Sequence, residues 1–213
     1  MSNDLENALT SDLTWRETEL AILKIEIVKA QKGSAKQIAL LRASWAMLYA
    51  HYEGFSVFAW ASYLNELKRV GIPRGDLSRE LIALSMETQF KAIKNSYSME
   101  NMLNFYSDEF DKILREPVTF PNGLKARSNL SPELYRTNCR RASLSHLMVD
   151  QNEARLLLLV KRRNSIAHGE AILIKDITEY QSYETAVMLV MHELALGVIE
   201  NVGRFPIQYT LAV

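Results

Sequence analysis

Residues 34–71 read SAKQIALLRASWAMLYAHYEGFSVFAWASYLNELKRVG. In this stretch apolar residues recur at alternating steps of three and four, which is the spacing of one helix face. They are Ile38, Leu41, Trp45, Leu48, Tyr52, Phe55 and Ala59. Gly71 and then Pro73 follow, and both residue types end helices. The stretch therefore predicts one long helix from Ser34 to about Val70, with an apolar seam that packs against other helices.

A first helix is predicted before this one. We expect it to start after Ser11 or Asp12 and to end at residues 32–33, where Gly33 is a suitable stop. Its apolar spacing is given by Ile22, Ile25 and Val28.

The region after the long helix combines further helices with one loop. Residues 76–114 predict two helices, one over about 78–94 and one opened by Ser98. Two prolines and an Asn-Gly pair mark residues 116–130 as a loop, and Ser131 followed by Pro132 starts the next helix. We interpret residues 72–130 as a helical insertion with a loop, inside a single domain spanning residues 1–213.

Two capping boxes predict the last helices. Residues 150–153 (Asp-Gln-Asn-Glu) precede a helix that leads to a basic triplet, and residues 176–179 (Asp-Ile-Thr-Glu) open a final amphipathic helix through Val202. Between them, residues 171–174 are short and β-branched, which is typical of a strand-like linker. Since strands and helices do not alternate, the sequence predicts an all-α bundle of about six or seven helices.

The charge is balanced overall but not along the chain. The protein has 25 basic and 25 acidic residues, yet the segment from Arg115 to Arg163 holds ten Lys or Arg against four Asp or Glu. A segment with concentrated positive charge can bind phosphate groups while the rest of the surface stays acidic. The alternative is that these arginines are scattered and solvated.

Cysteine use and hydropathy indicate the compartment. Cys139 is the only cysteine, which suits a reducing cytoplasm. The N-terminus is acidic and polar, unlike a signal peptide. The longest apolar run, residues 186–199, is shorter than a membrane span and contains His192 and Glu193. We therefore expect a cytoplasmic protein that does not enter a membrane, with this run as a core helix.

The candidate catalytic residues lie in the stretch Arg163-Asn164-Ser165-Ile166-Ala167-His168-Gly169. A guanidinium can hold a phosphate by two parallel hydrogen bonds and neutralise charge that develops on it. An imidazole titrates near neutrality and can move a proton to or from an attacking or leaving oxygen. Residues five apart do not share a helix face, so the two side chains converge only if the helix bends or ends between them. Otherwise Arg163 caps a helix C-terminus and His168 makes a local hydrogen bond.

This stretch resembles the signature of the HEPN superfamily, in which Arg, usually followed by a polar residue, precedes His by four to six positions. A second match, Leu41-Arg42-Ala43-Ser44-Trp45 running into residues 49–55, resembles the MAE/RiboL-PSP branch, and the similarity covers roughly residues 37–201. The resemblance implies an all-helical HEPN bundle with a composite active site, in which two Arg/His pairs face each other across a symmetric dimer. Such proteins are mostly small ribonucleases of toxin–antitoxin and antiphage systems, and some are non-catalytic RNA binders.

Four further residues are candidates for the same site. Asn164 either orients the histidine or donates to a phosphate oxygen, or it is a helix C-cap. Glu53 lies in an apolar helix, where a carboxylate requires a partner, so it either orients Arg163 or His168 or forms a structural ion pair. Lys161 and Arg162 are predicted to bind flanking phosphates, with a solvated basic face as the alternative for each.

These residues predict a metal-independent endoribonuclease without a cofactor, which leaves 2′,3′-cyclic phosphate and 5′-hydroxyl ends. His192-Glu193 lacks the second histidine of a zinc motif, and His51, His146 and His192 are expected to be packing or surface residues. The expected partners are RNA, a second copy of the chain, and an antitoxin or regulatory protein. The alternatives are a non-catalytic HEPN module that binds RNA or a partner protein, and a helical interaction module without a nucleic-acid role.

Overall fold

The long helix predicted from residues 34–71 is present at the centre of the molecule as α2, Ala35–Val70. The Ser34 hydroxyl accepts a hydrogen bond from the Gln37 N–H (3.2 Å), and Gly71 ends the helix in the left-handed conformation with φ 71°. The predicted seam is buried from Leu41 to Ala59, whereas Ile38 is 39% exposed. Tyr49 and Trp60 on other sides of α2 are buried as well, since neighbouring helices surround it.

The computed structural model describes residues 3–95, 98–124, 129–172 and 174–205. Its other helices are α1 Asn3–Lys29, α3 Arg79–Ser85, α4 Glu87–Asn95, α5 Met99–Asn104, α6 Phe110–Arg115, α7 Pro132–Arg141, α8 Leu147–Gln151, α9 Glu153–Ala167 and α10 Ile177–Gly203. A 3₁₀ turn covers Arg74–Asp76 and a π turn Phe105–Glu109. The described residues form no β-strand, which confirms the all-α class. They form ten α-helices rather than the predicted six or seven.

Four helices build the main body. α2 and α10 pack against each other, and both α1 and α9 pack against this central pair. Over the described chain, α1 and α9 share no extensive contact with each other. By length and composition α10 could cross a membrane, and in this fold Val187, Val190, Leu194 and Val198 bury its apolar side in the core, as predicted for this run.

The predicted start of α1 was wrong, and the apolar residues whose spacing suggested the helix lie on its exposed side. The helix already begins at Asn3, and Leu9, Leu20 and Ile27 are its fully buried residues. Ile22, Ile25 and Val28 are 56%, 53% and 69% exposed. Because α1 carries apolar residues on two faces, the spacing alone indicated the face that points away from the core.

The 72–130 region differs from its prediction in detail. The single helix expected over 78–94 is interrupted at the fully buried Met86, so two short helices form instead. The helix opened by Ser98 is present as α5. The Val118 N–H donates to the Ile72 carbonyl (2.8 Å) and the Arg74 N–H donates to the Glu116 carbonyl (3.0 Å). The chain therefore leaves the main body and returns to it at the same point.

One of the two capping boxes was wrong. Asp150 does not start a helix, because it lies inside α8, where its carboxylate binds Arg136 (2.6 Å) and His146 (2.8 Å). Asn152 is the N-cap of α9, but its side chain accepts no hydrogen bond from a backbone N–H of the helix. Asp176 does cap α10, since it accepts from the Glu179 N–H at 2.9 Å. The strand-like linker is also wrong for the described residues 171, 172 and 174, while Leu173 lies outside the described residues.

Candidate functional site

Arg163 lies on α9 with its guanidinium against the face of Tyr49 on α2. The Arg163 Cζ is 3.9 Å from the centroid of the Tyr49 ring, a cation–π distance. Nη1 donates to the side-chain oxygens of Asn129 (3.0 Å) and Asn164 (2.8 Å), and Nη2 lies 3.7 Å from Oε2 of Glu53. The ring, the carboxylate and the two amides hold the guanidinium in one place.

Tyr49 and Glu53 form a second layer beneath this arginine. The Tyr49 hydroxyl donates to Oε1 of Glu53 (2.8 Å), and the backbone N–H of Leu130 donates to both the Tyr49 oxygen (2.6 Å) and Oε1 of Glu53 (3.1 Å). Burial, together with the hydrogen bond to Glu53, raises the pKa of Tyr49 to about 12. The tyrosine therefore stays neutral at physiological pH, and the carboxylate is the one charge facing Arg163 from α2.

The next residue, Arg162, has different surroundings. Its Nη1 donates to Oε1 of Glu179 (2.7 Å), and its Cζ lies 4.8 Å from the Trp45 ring and 5.9 Å from the Tyr183 ring. Only 19% of the side chain is exposed. These contacts join α9 to α10 and α2, so they favour a structural role over the predicted binding of phosphate.

The predicted positive segment is partly neutralised by acidic partners. Besides Arg162 and Arg163, Arg136 pairs with Asp150 and Glu153 and Arg141 pairs with Glu87. Lys161 is exposed, as a phosphate-binding residue would have to be. Lys125 and Arg127, which contribute to the same charge excess, lie outside the described residues.

His168 lies at the end of α9, where it is the C-cap, and Gly169 follows in the left-handed conformation with φ 79°. The helix does not bend between Arg163 and His168, because it stays regular through Ala167. Five residues correspond to about 140° around a helix axis, so the two side chains leave α9 in different directions. The His168 imidazole is exposed and makes no side-chain hydrogen bond with the described residues. The structure therefore does not meet the condition under which the two side chains would converge within one chain.

A family model described as HEPN_MAE_28990-like HEPN matches residues 5–206. The chain belongs to this HEPN family. No curated protein and no solved structure matches it significantly. HEPN domains are RNA-related modules that are often ribonucleases and often dimers. The match confirms the superfamily and the branch that residues 163–169 and 41–55 suggested.

Sequence reasoning missed three members of this HEPN site, namely Tyr49, Asn129 and the Leu130 N–H. Tyr49 lies four residues before the predicted Glu53 on the same helix, a spacing that places the two side chains together and could have identified it. Asn129 and the Leu130 N–H come from the loop before α7, and no local signal connects them with an arginine 34 positions away in the sequence. Arg42 of the second motif lies outside this group of contacts, and its guanidinium donates to the carbonyl of Ile172 (3.5 Å).

A second polar cluster joins α1 to α2 in the HEPN bundle. His51 is 2% exposed, with Nδ1 3.2 Å from Nη1 of Arg16 and Nε2 2.9 Å from Oε2 of Glu19. Since Arg16 can only donate, Nδ1 is the acceptor and the ring proton is on Nε2. Burial and the positive charge of Arg16 lower the pKa of His51, against the opposite effect of Glu19. His51 is thus a packing residue, as predicted.

Proposed function

We propose that this HEPN protein is a metal-independent endoribonuclease of a cytoplasmic toxin–antitoxin or antiphage system. One observation supports this most. A single helix presents an arginine held by a tyrosine ring and a carboxylate, and it ends in an exposed histidine that has no side-chain partner among the described residues. These are the two groups that phosphodiester cleavage by an internal nucleophile requires.

In the proposed reaction, the 2′-hydroxyl of the RNA attacks the adjacent phosphorus and the bond to the 5′-oxygen breaks. His168 acts as general base or general acid, taking the proton from the 2′-oxygen or giving one to the leaving 5′-oxygen. Arg163 binds the phosphate and stabilises the additional negative charge of the transition state. The products are a 2′,3′-cyclic phosphate and a 5′-hydroxyl, with Lys161 as a contact for a flanking phosphate.

The directions of the two side chains support a composite active site. Ideal helix geometry places Arg163 and His168 about 140° apart around α9, which favours a site where Arg163 of one chain and His168 of another act on the same phosphate. A two-fold axis beside the end of α9 would place Arg163 of one protomer against His168 of its partner, and each dimer would then hold two sites.

Mixing two inactive variants tests the reaction and the dimer together. His168→Ala and Arg163→Ala should each cleave total RNA in EDTA about a hundred- to ten-thousand-fold more slowly than the wild type. When the two are mixed and allowed to exchange, each mixed dimer regains one complete site, and roughly a quarter of wild-type activity returns. Activity in His168→Ala alone would contradict the mechanism, and active single mutants or an inactive mixture would contradict the shared site.

One observation favours the alternative of a non-catalytic module, in which Arg163 is a structural residue and any RNA is bound by other residues. Nη1 of Arg163 is already bonded to Asn129 and Asn164, so a phosphate must displace at least one amide to be bound by that nitrogen. RNA binding that weakens steeply with salt, with no cleavage at any protein concentration, would support this module. Salt-insensitive behaviour would leave a helical interaction protein.

A further inference from the structure

Arg42 belongs to the second family motif of the sequence, and the proposed reaction does not use it. Its side chain is half-buried on α2, and Nη1 donates to the carbonyl of Ile172 at 3.5 Å, which is long for a hydrogen bond. A guanidinium has five N–H donors, and the described residues accept no other hydrogen bond from this one. Arg42 therefore keeps most of its donors available for a ligand.

The charge of Arg42 has no carboxylate partner within the described part of the chain. Every other buried or half-buried arginine there forms an ion pair with an aspartate or a glutamate, namely Arg16, Arg74, Arg136, Arg141, Arg162 and Arg163. The residues three and four positions from Arg42 on α2 are all uncharged: Ile38, Ala39, Trp45 and Ala46. A partly buried charge without an acidic partner is unfavourable, so this position is suited to an anion from outside the chain.

Arg42 lies on the same side of α2 as Tyr49, the residue whose ring contacts Arg163. At about 100° per residue, Arg42 and Tyr49 are within about 20° of each other around the helix axis. A rise of about 1.5 Å per residue separates them by about 10 Å along α2. The Ile172 carbonyl that Arg42 contacts comes four residues after His168 in the chain. Arg42 and Arg163 thus lie along one side of α2, with Arg42 beside the segment that follows His168.

We propose that Arg42 binds a backbone phosphate of the RNA, flanking the phosphate that Arg163 holds. This inference rests on the proposed function, because it assigns Arg42 to the same RNA strand. The separation of about 10 Å along α2 exceeds the width of one phosphate group, so the two arginines bind different phosphates. A guanidinium binds phosphate oxygens through paired N–H donors, and such contacts position a strand without reading its bases. Arg42 is therefore a binding residue that favours RNA with further nucleotides beside the cleaved bond.

Arg42→Gln tests this contact, because glutamine keeps an N–H donor for the Ile172 carbonyl but carries no charge. The assay is the affinity for an uncleavable 2′-O-methyl oligouridylate over a range of salt concentrations. Arg42→Gln should bind about tenfold more weakly than the wild type, and its logarithmic salt slope should be smaller by about 0.7, the value for one phosphate of a single strand. Arg42→Lys should keep the wild-type slope, since it keeps the charge. Arg204→Gln is the matched control, because Arg204 is exposed near Tyr63, towards the other end of α2.

A series of RNA lengths separates this contact from an effect on the fold. A dinucleotide has a single phosphodiester, so the wild type and Arg42→Gln should bind it equally, and only longer oligouridylates should distinguish them. Equal affinity and equal salt slope on long oligomers would overturn the role of Arg42, and RNA cleavage by both proteins would leave the proposed ribonuclease intact. An equal loss of affinity at every length would also overturn it, since Arg42 would then act through the fold. Because the assay measures affinity, binding without cleavage would contradict the ribonuclease alone, whereas a wild type that binds no RNA would overturn both proposals.

Discussion

Replacing Tyr49 with Phe would remove one hydroxyl and leave the ring beneath Arg163. That hydroxyl donates to Glu53 at 2.8 Å and accepts from the Leu130 N–H at 2.6 Å. In Tyr49→Phe the Leu130 N–H keeps its bond to Glu53 (3.1 Å), so no buried donor is left unpaired. The main loss is one hydrogen bond to a charged group, which costs about 1.5–3 kcal/mol. At about 2–4 °C per kcal/mol for a chain of this size, we expect the melting temperature to fall by about 3–12 °C.

Comparing Tyr49→Leu with Tyr49→Phe distinguishes the contribution of the ring from that of the hydroxyl. Tyr49→Leu should have the stability loss of Tyr49→Phe and also remove the cation–π contact with Arg163, which contributes about 0.5–2 kcal/mol. RNA cleavage, or RNA affinity if no cleavage occurs, should therefore fall several-fold in Tyr49→Leu and change little in Tyr49→Phe. Thermal unfolding and a single-turnover assay on both variants provide the comparison. The reasoning fails if Tyr49→Phe is as stable as the wild type, or if both variants lose activity equally.

Three further outcomes follow from the structure. Because the pKa of His51 is lowered in the fold, the unfolded state binds more protons below about pH 6.5. The free energy of unfolding, measured with urea, should therefore fall as the pH drops through that range. In His51→Gln it should change less with pH. The raised pKa of Tyr49 has the reverse effect at alkaline pH, so stability should fall above about pH 10, and the tyrosine absorbance titration should lag in the native protein. In Gly54→Ala the added Cβ would lie 3.1 Å from Nη1 of Arg16, so we expect the free energy of unfolding to fall by about 1 kcal/mol. In Gly197→Ala the nearest contact is at 3.5 Å, so thermal unfolding should show unchanged or higher stability.

The parts of the fold that were predictable are those set by neighbouring residues. Ser34, Ser98, Ser131 and Asp176 cap helices where expected, because a cap is a bond between residues three apart. The predicted cap at Asp150 is absent, and its carboxylate binds Arg136, fourteen residues earlier, instead. The orientation of α1 was not predictable from its spacing, since both faces are apolar and only the packing against α2 and α10 distinguishes them.

The contacts of the candidate site were also predictable in part. Asn164 follows Arg163 directly and lies beside it, and Glu53 reaches Arg163 from the neighbouring helix, one of the two arrangements considered. His168 is the residue that the structure does not bring to Arg163, because α9 stays helical through Ala167. A helix end can be predicted from Gly169, but the last regular turn before it cannot be read from the residue types alone.

The hydrogen bonds of the Leu130 N–H place a requirement on the whole segment before it. Residues 72–130 leave the main body beside Ile72, and Leu130 must return to Tyr49 and Glu53 on α2 for the groups beneath Arg163 to keep their arrangement. Nothing in these bonds depends on how long the intervening chain is. Among related chains, insertions and deletions should therefore accumulate before Asn129, while the distance in sequence from residue 129 to Arg163 stays constant.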